Sequence, residues 1–130
     1  MSIAYWCILI AAALPYVWVS VAKAGGERYN NRDPRGWQAR QENPRSQRAY
    51  AAQLNAYEAF PPFAASVLMA QFAQVDGQHI IWLAIAFIVF RILHGIAYIA
   101  DMHAMRSMVW FGGFFCVVGL MLSAALKVAG

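Results

Sequence analysis

The sequence predicts an all-α fold, a bundle of four membrane-crossing helices that forms one domain over residues 1–130. Its residues are 62% hydrophobic and only 12% charged, whereas soluble domains have about 45–50% apolar and about 25% charged residues. Four long segments, at about 3–23, 46–74, 79–101 and 106–127, provide the predicted helices. About 20 predominantly apolar residues suffice to cross a bilayer, so each segment is long enough.

The first segment carries no charge before Lys23, and Pro15 inside it predicts a kink. The sequence Ala22-Lys23-Ala24 imitates a signal-peptidase site. A signal peptide would begin with basic residues and would have an apolar run of about 7–15 residues, which this segment exceeds. We therefore expect the first segment to remain as a membrane span.

The polar loop at 24–45 sets the predicted orientation. It is rich in turn-forming residues and need not pack. Six of the ten Lys/Arg residues lie in it or directly after it; they are Arg28, Arg32, Arg35, Arg40, Arg45 and Arg48. The positive-inside rule then predicts a cytoplasmic loop and both termini outside, in the inner membrane if the source is bacterial. Because acidic residues interrupt the cluster between two spans, we expect no nucleic-acid partner.

The remaining segments carry their own signals. Pro61-Pro62 predicts a bend in the second segment, and Asp76-Gly77 predicts the tight turn before the third. Glycines in the fourth segment would allow close helix contact. The tryptophans are interpreted as interface or packing residues; they include Trp6, Trp18, Trp82 and Trp110.

Polar residues inside the second segment predict a site. At about 100° per helical residue, Arg48, Asn55 and Glu58 fall along one stripe, with Gln53 beside it. A carboxylate within a span costs roughly 2.5–3.5 kcal/mol on insertion scales and is usually paired or functional. The stripe should therefore face a partner helix or a wet cavity.

The third segment repeats this pattern. Arg91, His94, Tyr98 and Asp101 follow one another at spacings of three, four and three. They would approach the same cytoplasmic end as Arg48 and Asn55, where Arg106 begins the fourth segment. Two polar stripes at one depth make a binding site plausible.

Several alternatives remain open from the residues alone. Glu58 could pair with Arg91 or Arg48 and only hold the helices together. Asn55 and Gln53 could be interhelical hydrogen-bonding residues, and Tyr98 an interfacial anchor. A proton-coupled transporter that uses Glu58 and His94 is a further hypothesis. No metal site is expected, because the histidines have no metal-ligand spacing.

Two sequence blocks resemble one known family. Arg48-Ala-Tyr-Ala-Ala-Gln-Leu-Asn55-Ala-Tyr-Glu58-Ala-Phe-Pro61 resembles the second-helix signature of the MAPEG superfamily, the membrane-associated proteins of eicosanoid and glutathione metabolism. The block Arg91-Ile-Leu-His94-Gly-Ile-Ala-Tyr98, followed by Arg106, is similar too. With the four-span layout, the resemblance covers nearly the whole chain. The sequence is most similar in type to the bacterial members of the family.

The resemblance implies a left-handed bundle that assembles as a homotrimer, with glutathione bound as co-substrate between subunits at the cytoplasmic end. It implies that Gln53, Asn55 and Glu58 hold the tripeptide together with Tyr98. Arg106 would stabilise the thiolate, while Arg48, Arg91 and His94 line or support the site. A lipophilic small molecule or lipid would be the second partner and would enter from the bilayer.

One position departs from the family pattern. Glutathione-binding members carry an arginine between the positions of Arg48 and Asn55, where it contacts a substrate carboxylate. Ala51 and Ala52 occupy that stretch here. A non-catalytic lipid-binding or scaffold protein on the same fold is therefore the alternative to a glutathione transferase or peroxidase.

Overall fold

The computed structural model describes residues 1–130 and is built from five helices. Four are long: α1 (Ser2–Ala24), α3 (Pro44–Phe72), α4 (Gly77–Ile99) and α5 (His103–Ala129). A short helix, α2 (Pro34–Ala39), lies in the connection between α1 and α3. No strand is present, which confirms the all-α prediction.

Two tight turns end α3 and α4 in the same way. Gln74 and Asp101 adopt positive φ angles of 60° and 61°. The residue that follows each of them donates a backbone hydrogen bond back to the last turn of the helix. Val75 N donates to Ala70 O at 3.0 Å, and Met102 N donates to Ala97 O at 2.8 Å. This is the hydrogen-bond pattern of a left-handed C-terminal cap. Asp101 therefore leaves the helix instead of continuing the predicted stripe of α4.

The predicted Asp76-Gly77 turn signal has a different role in the structure. Asp76 is the N-cap of α4, and its carboxylate accepts the backbone N–H of His79 at 3.1 Å. Gly77 is already the first residue of that helix. The chain reverses two positions before the dipeptide, because Gln74 takes the left-handed conformation.

Helix α3 packs against all three other long helices, while α4 also contacts α1 and α5. The main core contains Phe63 of α3 stacked on Phe87 of α4, with ring centroids 3.9 Å apart. Helices α1 and α4 approach closely where Gly95 lies against the buried Trp18, because a Cβ at Gly95 would overlap the indole ring. Trp18 is thus a packing residue.

Three helices are long and apolar enough to cross a membrane, and these are α1, α4 and α5. Helix α3 has sufficient length, since it runs through Pro61 and Pro62 without interruption. The polar residues in its first half make α3 less apolar than α1, α4 and α5. The predicted span at 46–74 is therefore more polar than the other three.

The connection between α1 and α3 is packed, although the sequence suggested a loop that need not pack. The Asp33 carboxylate caps α2 by accepting the Gly36 N–H at 3.1 Å. Trp37 of α2 is only 4% exposed, and its indole N–H donates to the Arg28 carbonyl at 2.8 Å. Buried Ser46 at the start of α3 donates to the Ala22 carbonyl of α1 at 2.7 Å. The connection is thereby fixed to both helices.

Candidate functional site

A hydrogen bond between α3 and α4 joins the two predicted polar stripes. Arg91 Nη2 donates to Asn55 Oδ1 at 2.7 Å. Arg91 is only 4% exposed, and Asn55 is the one acceptor that the chain offers its guanidinium. A hydrogen bond to a charged donor contributes about 1.5–3 kcal/mol, so this contact orients both side chains at the site.

Glu58 lies one helical turn from Asn55 and lines a cleft with Asn55 and Arg91. Its side chain is exposed and forms no ion pair, since the one salt bridge of the chain joins Arg40 to Asp33. The carboxylate is therefore not held by Arg91 or Arg48 within this subunit. It remains free to accept hydrogen bonds from a ligand or a neighbouring chain.

Arg48 connects the start of α3 with the end of α4. Its Nε donates to the Ile99 carbonyl at 3.0 Å. A cation at the C-terminal end of a helix satisfies an unpaired carbonyl and interacts favourably with the helix dipole. Arg48 thus supports the site by fixing the end of the helix that carries Arg91 and Tyr98.

Tyr98 brings together His94 and Arg106. The guanidinium carbon of Arg106 lies 4.4 Å from the centre of the Tyr98 ring, which is a cation–π contact. The ring of His94 meets Tyr98 edge-on, with centroids 5.7 Å apart. His94 is 2% exposed, and its Nδ1 has no hydrogen-bond partner. These contacts fix the Arg106 side chain of α5 against the end of α4.

Two adjoining clefts lie around these residues. The first, which we call the aromatic cleft, has a volume of about 250 Å³ between α3, α4 and α5; its lining includes Asn55, Glu58, Phe87, Arg91, Trp110 and Phe114. The second, the arginine cleft, has a volume of about 220 Å³; its lining includes Asn55, His94, Tyr98, Arg106, Ser107 and Trp110. Asn55 and Trp110 line both clefts, so the two spaces meet at these side chains.

Gln53 is separate from the other predicted residues. It lines a third cleft of about 350 Å³, which we call the loop cleft, together with Lys23 and Arg35. Residues two apart on a helix do not face each other, and Gln53 precedes Asn55 by two. Six of the eight predicted residues therefore line the two joined clefts, Arg48 lies at the end of α4 through its bond to Ile99, and Gln53 lies outside.

Trp110 and Phe114 are site-lining residues that the sequence reasoning missed. Their spacing offered a signal, because they follow Arg106 by four and eight residues and so share its face of α5. Trp110 had been interpreted only as an interface or packing residue. Phe114 stacks on it, with centroids 5.3 Å apart and planes 8° apart.

Ala51 and Ala52 occupy the stretch of α3 where the sequence resemblance implies an arginine. Ala52 is fully buried in a small cluster with Leu14, Trp18 and Ala56, where α1 packs on α3. Ala51 is half-buried. A carboxylate-binding arginine is therefore missing from this stretch of α3.

Comparison with models of known protein families identifies a family for this sequence. The family model described as MAPEG family matches residues 3–126, which is nearly the whole chain. A search of curated proteins finds no match.

Proposed function

Because the chain belongs to the MAPEG family, which includes glutathione transferases, we propose that it is a membrane glutathione transferase-like enzyme. Its reaction would conjugate glutathione to lipophilic electrophiles, or reduce them with the thiol. Family membership and the three apolar helices together make the chain a membrane protein.

The observation that carries this proposal is the junction of two unlike clefts at Asn55 and Trp110. The arginine cleft presents a cation, a phenol and an imidazole, which suit a polar tripeptide. The aromatic cleft presents ring faces, which suit an apolar second substrate. Holding two reactants in adjoining spaces removes much of the entropic barrier to their reaction.

Arg106 is the residue we assign to the reacting sulfur. A thiolate, not a thiol, is the nucleophile, and a nearby cation stabilises it. Arginine stays charged and donates hydrogen bonds from a fixed fork. The contact with Tyr98 limits the movement of Arg106, so less side-chain freedom is lost when the sulfur binds.

The other assigned residues hold the tripeptide. Asn55 lines both clefts, with Arg91 orienting its amide. Glu58 lines the aromatic cleft one helical turn from Asn55, so its free carboxylate would bind the α-ammonium of glutathione where the tripeptide extends past Asn55. Since Gln53 lines the loop cleft, it could reach the ligand only from a neighbouring subunit, which fits the proposed homotrimer with glutathione between subunits.

We place α3 across the membrane as a fourth span, in a four-helix bundle with both termini outside. The arginines of the α1–α3 connection would then face the cytoplasm. In this arrangement Asn55 avoids the lipid because it bonds to Arg91 between helices, and the exposed Glu58 would be covered by glutathione or a neighbouring subunit. This topology brings glutathione to the cytoplasmic end and the lipophilic substrate from the bilayer.

Thiol turnover by purified protein tests the proposal. Arg106→Ala should lower kcat about 100- to 1,000-fold, the usual cost of removing a donor that stabilises developing or reacting charge, and Arg106→Lys should recover part of it. Lys127→Ala, which removes a cation at the other end of the same helix, should leave kcat unchanged. Absence of saturable glutathione binding at millimolar concentration, with folded protein, would refute the proposal.

A non-catalytic lipid-binding or scaffold role is the second candidate. The alanines at positions 51 and 52, where glutathione-binding members of the family carry a carboxylate-binding arginine, favour it. In that case Asn55→Ala and Glu58→Gln should reduce assembly or retention of lipid, and Arg106→Ala should change no reaction rate. Turnover of any electrophile that Arg106→Ala abolishes would eliminate this role.

A further inference from the structure

The walls of the aromatic cleft restrict what can occupy it. Phe87 forms one wall and is held in place by the parallel Phe63 ring behind it. Trp110 also lines the cleft, and the parallel Phe114 ring supports it. Aromatic rings favour offset-stacked or edge-to-face partners, so the cleft suits a flat, unsaturated ring more than a flexible chain.

The volume of the aromatic cleft also limits the occupant. At about 250 Å³ it falls just below the range of about 300–1,000 Å³ that is usual for drug-sized ligands. A long acyl chain would extend well outside it. A compact ring system of one or two fused rings fits within it.

Charge at the polar end of the cleft favours a neutral molecule. One cation and one anion, Arg91 and Glu58, line this end. A carboxylate on the ligand would meet Glu58, whereas a carbonyl oxygen can accept a hydrogen bond from Arg91. Only one Arg91 nitrogen is engaged, by Asn55, so the other N–H groups have no acceptor in the chain.

From these features we propose that the second substrate is a compact, neutral, planar electrophile of the quinone class, which stacks on Trp110 in the aromatic cleft. This inference rests on the proposed thiol transfer. Trp110 lines both clefts, so a ring stacked on it lies next to the space assigned to the sulfur.

The reaction balances without any further oxidant or reductant. The thiolate sulfur bonds to a ring carbon that is conjugated with the carbonyl. The electron pair of the ring double bond moves to the carbonyl oxygen, where Arg91 can donate a hydrogen bond. The oxygen takes up the proton that the thiol lost, and loss of the ring-carbon proton to the second oxygen gives the hydroquinone thioether.

The test compares two electrophiles in the presence of glutathione. The planar probe is 1,4-naphthoquinone, and the non-planar probe is an aliphatic enal of similar hydrophobicity. Trp110→Leu should lower kcat/KM about 3- to 10-fold for the quinone, the range expected for loss of one aromatic stacking contact. The enal value should change less than twofold, and Trp110→Phe should restore most of the quinone value.

Two further variants complete the test. Trp82→Leu is the matched control, because it makes the same substitution at a tryptophan that is 66% exposed and lines none of the described clefts. Phe114→Leu replaces Trp110→Leu if that protein does not fold, and should also lower quinone turnover selectively. Helical circular dichroism and elution volume establish folding.

The outcomes separate this inference from the proposed function. The quinone assignment is overturned if Trp110→Leu lowers kcat/KM equally for both probes, or if the unaltered protein does not prefer the quinone over the enal. Either result leaves the proposed thiol transfer in place. If neither probe is turned over, thiol transfer itself is overturned, and the quinone assignment with it. Selective loss of quinone turnover in Trp110→Leu supports both.

Discussion

Replacing Asn55 with alanine should destabilise the protein, because Arg91 would lose the one acceptor that the chain provides. The side chain of Arg91 is 4% exposed and donates to Asn55 at 2.7 Å. Hydrogen bonds between membrane helices average only about 0.6 kcal/mol of coupling. The donor here is charged and nearly buried, and bonds of that kind contribute about 1.5–3 kcal/mol.

A double-mutant cycle measures this coupling. The four proteins are the unaltered chain, Asn55→Ala, Arg91→Met and the double variant, unfolded reversibly in mixed detergent without glutathione. We expect a coupling free energy of about 1.5–3 kcal/mol, which corresponds to roughly a 10- to 150-fold change in the unfolding equilibrium.

The matched control cycle pairs Gln53→Ala with Arg91→Met. Gln53 is an amide on the same helix but lines the separate loop cleft, so its coupling to Arg91 should lie within about 0.5 kcal/mol of zero. An Asn55–Arg91 coupling at or below about 0.6 kcal/mol would place this contact among ordinary interhelical bonds. The reasoning that it organises the site would then be refuted.

Two other substitutions test the packing that supports the site. Gly95→Ala should lower the free energy of unfolding by about 1–3 kcal/mol, because the new Cβ would overlap the Trp18 ring. Gly119→Ala is the control, because a Cβ at that position would make only ordinary contacts. Equal stability of the two variants would contradict the prediction. Ser46→Ala should cost about 1 kcal/mol in a thermal unfolding measurement, because it removes a buried hydrogen bond between helices. Ser20→Ala removes an exposed bond within one helix and should cost less, so the reverse order would count against this explanation.

The apolar segments and the Asn55–Arg91 contact were open to prediction for clear physical reasons. Long apolar runs identify α1, α4 and α5 as candidate membrane spans. Asn55 and Arg91 are polar residues in otherwise apolar helices, and such groups seek each other. Family membership was also predicted correctly from the two sequence blocks.

Other features depend on three-dimensional contacts that spacing does not reveal. Helix geometry turns Gln53 away from Asn55, but the sequence of α3 does not show that α1 and the α2 region complete a cleft on that side. The Trp37 side chain fixes the connection by bonding to the distant Arg28 carbonyl. Trp110 lines both clefts because α3 and α4 place their polar residues opposite it, which the sequence of α5 alone does not indicate.

The modest apolarity of α3 has a consequence for how the protein is made. In the proposed four-span topology, α3 would leave the translocon carrying Arg48, Asn55 and Glu58 before Arg91 has been synthesised. Insertion at that stage should be inefficient, since charged residues disfavour release into lipid. Stable integration of α3 should therefore await α4, and nascent chains shortened to end before Gly77 should leave this segment accessible to protease or glycosylation reporters.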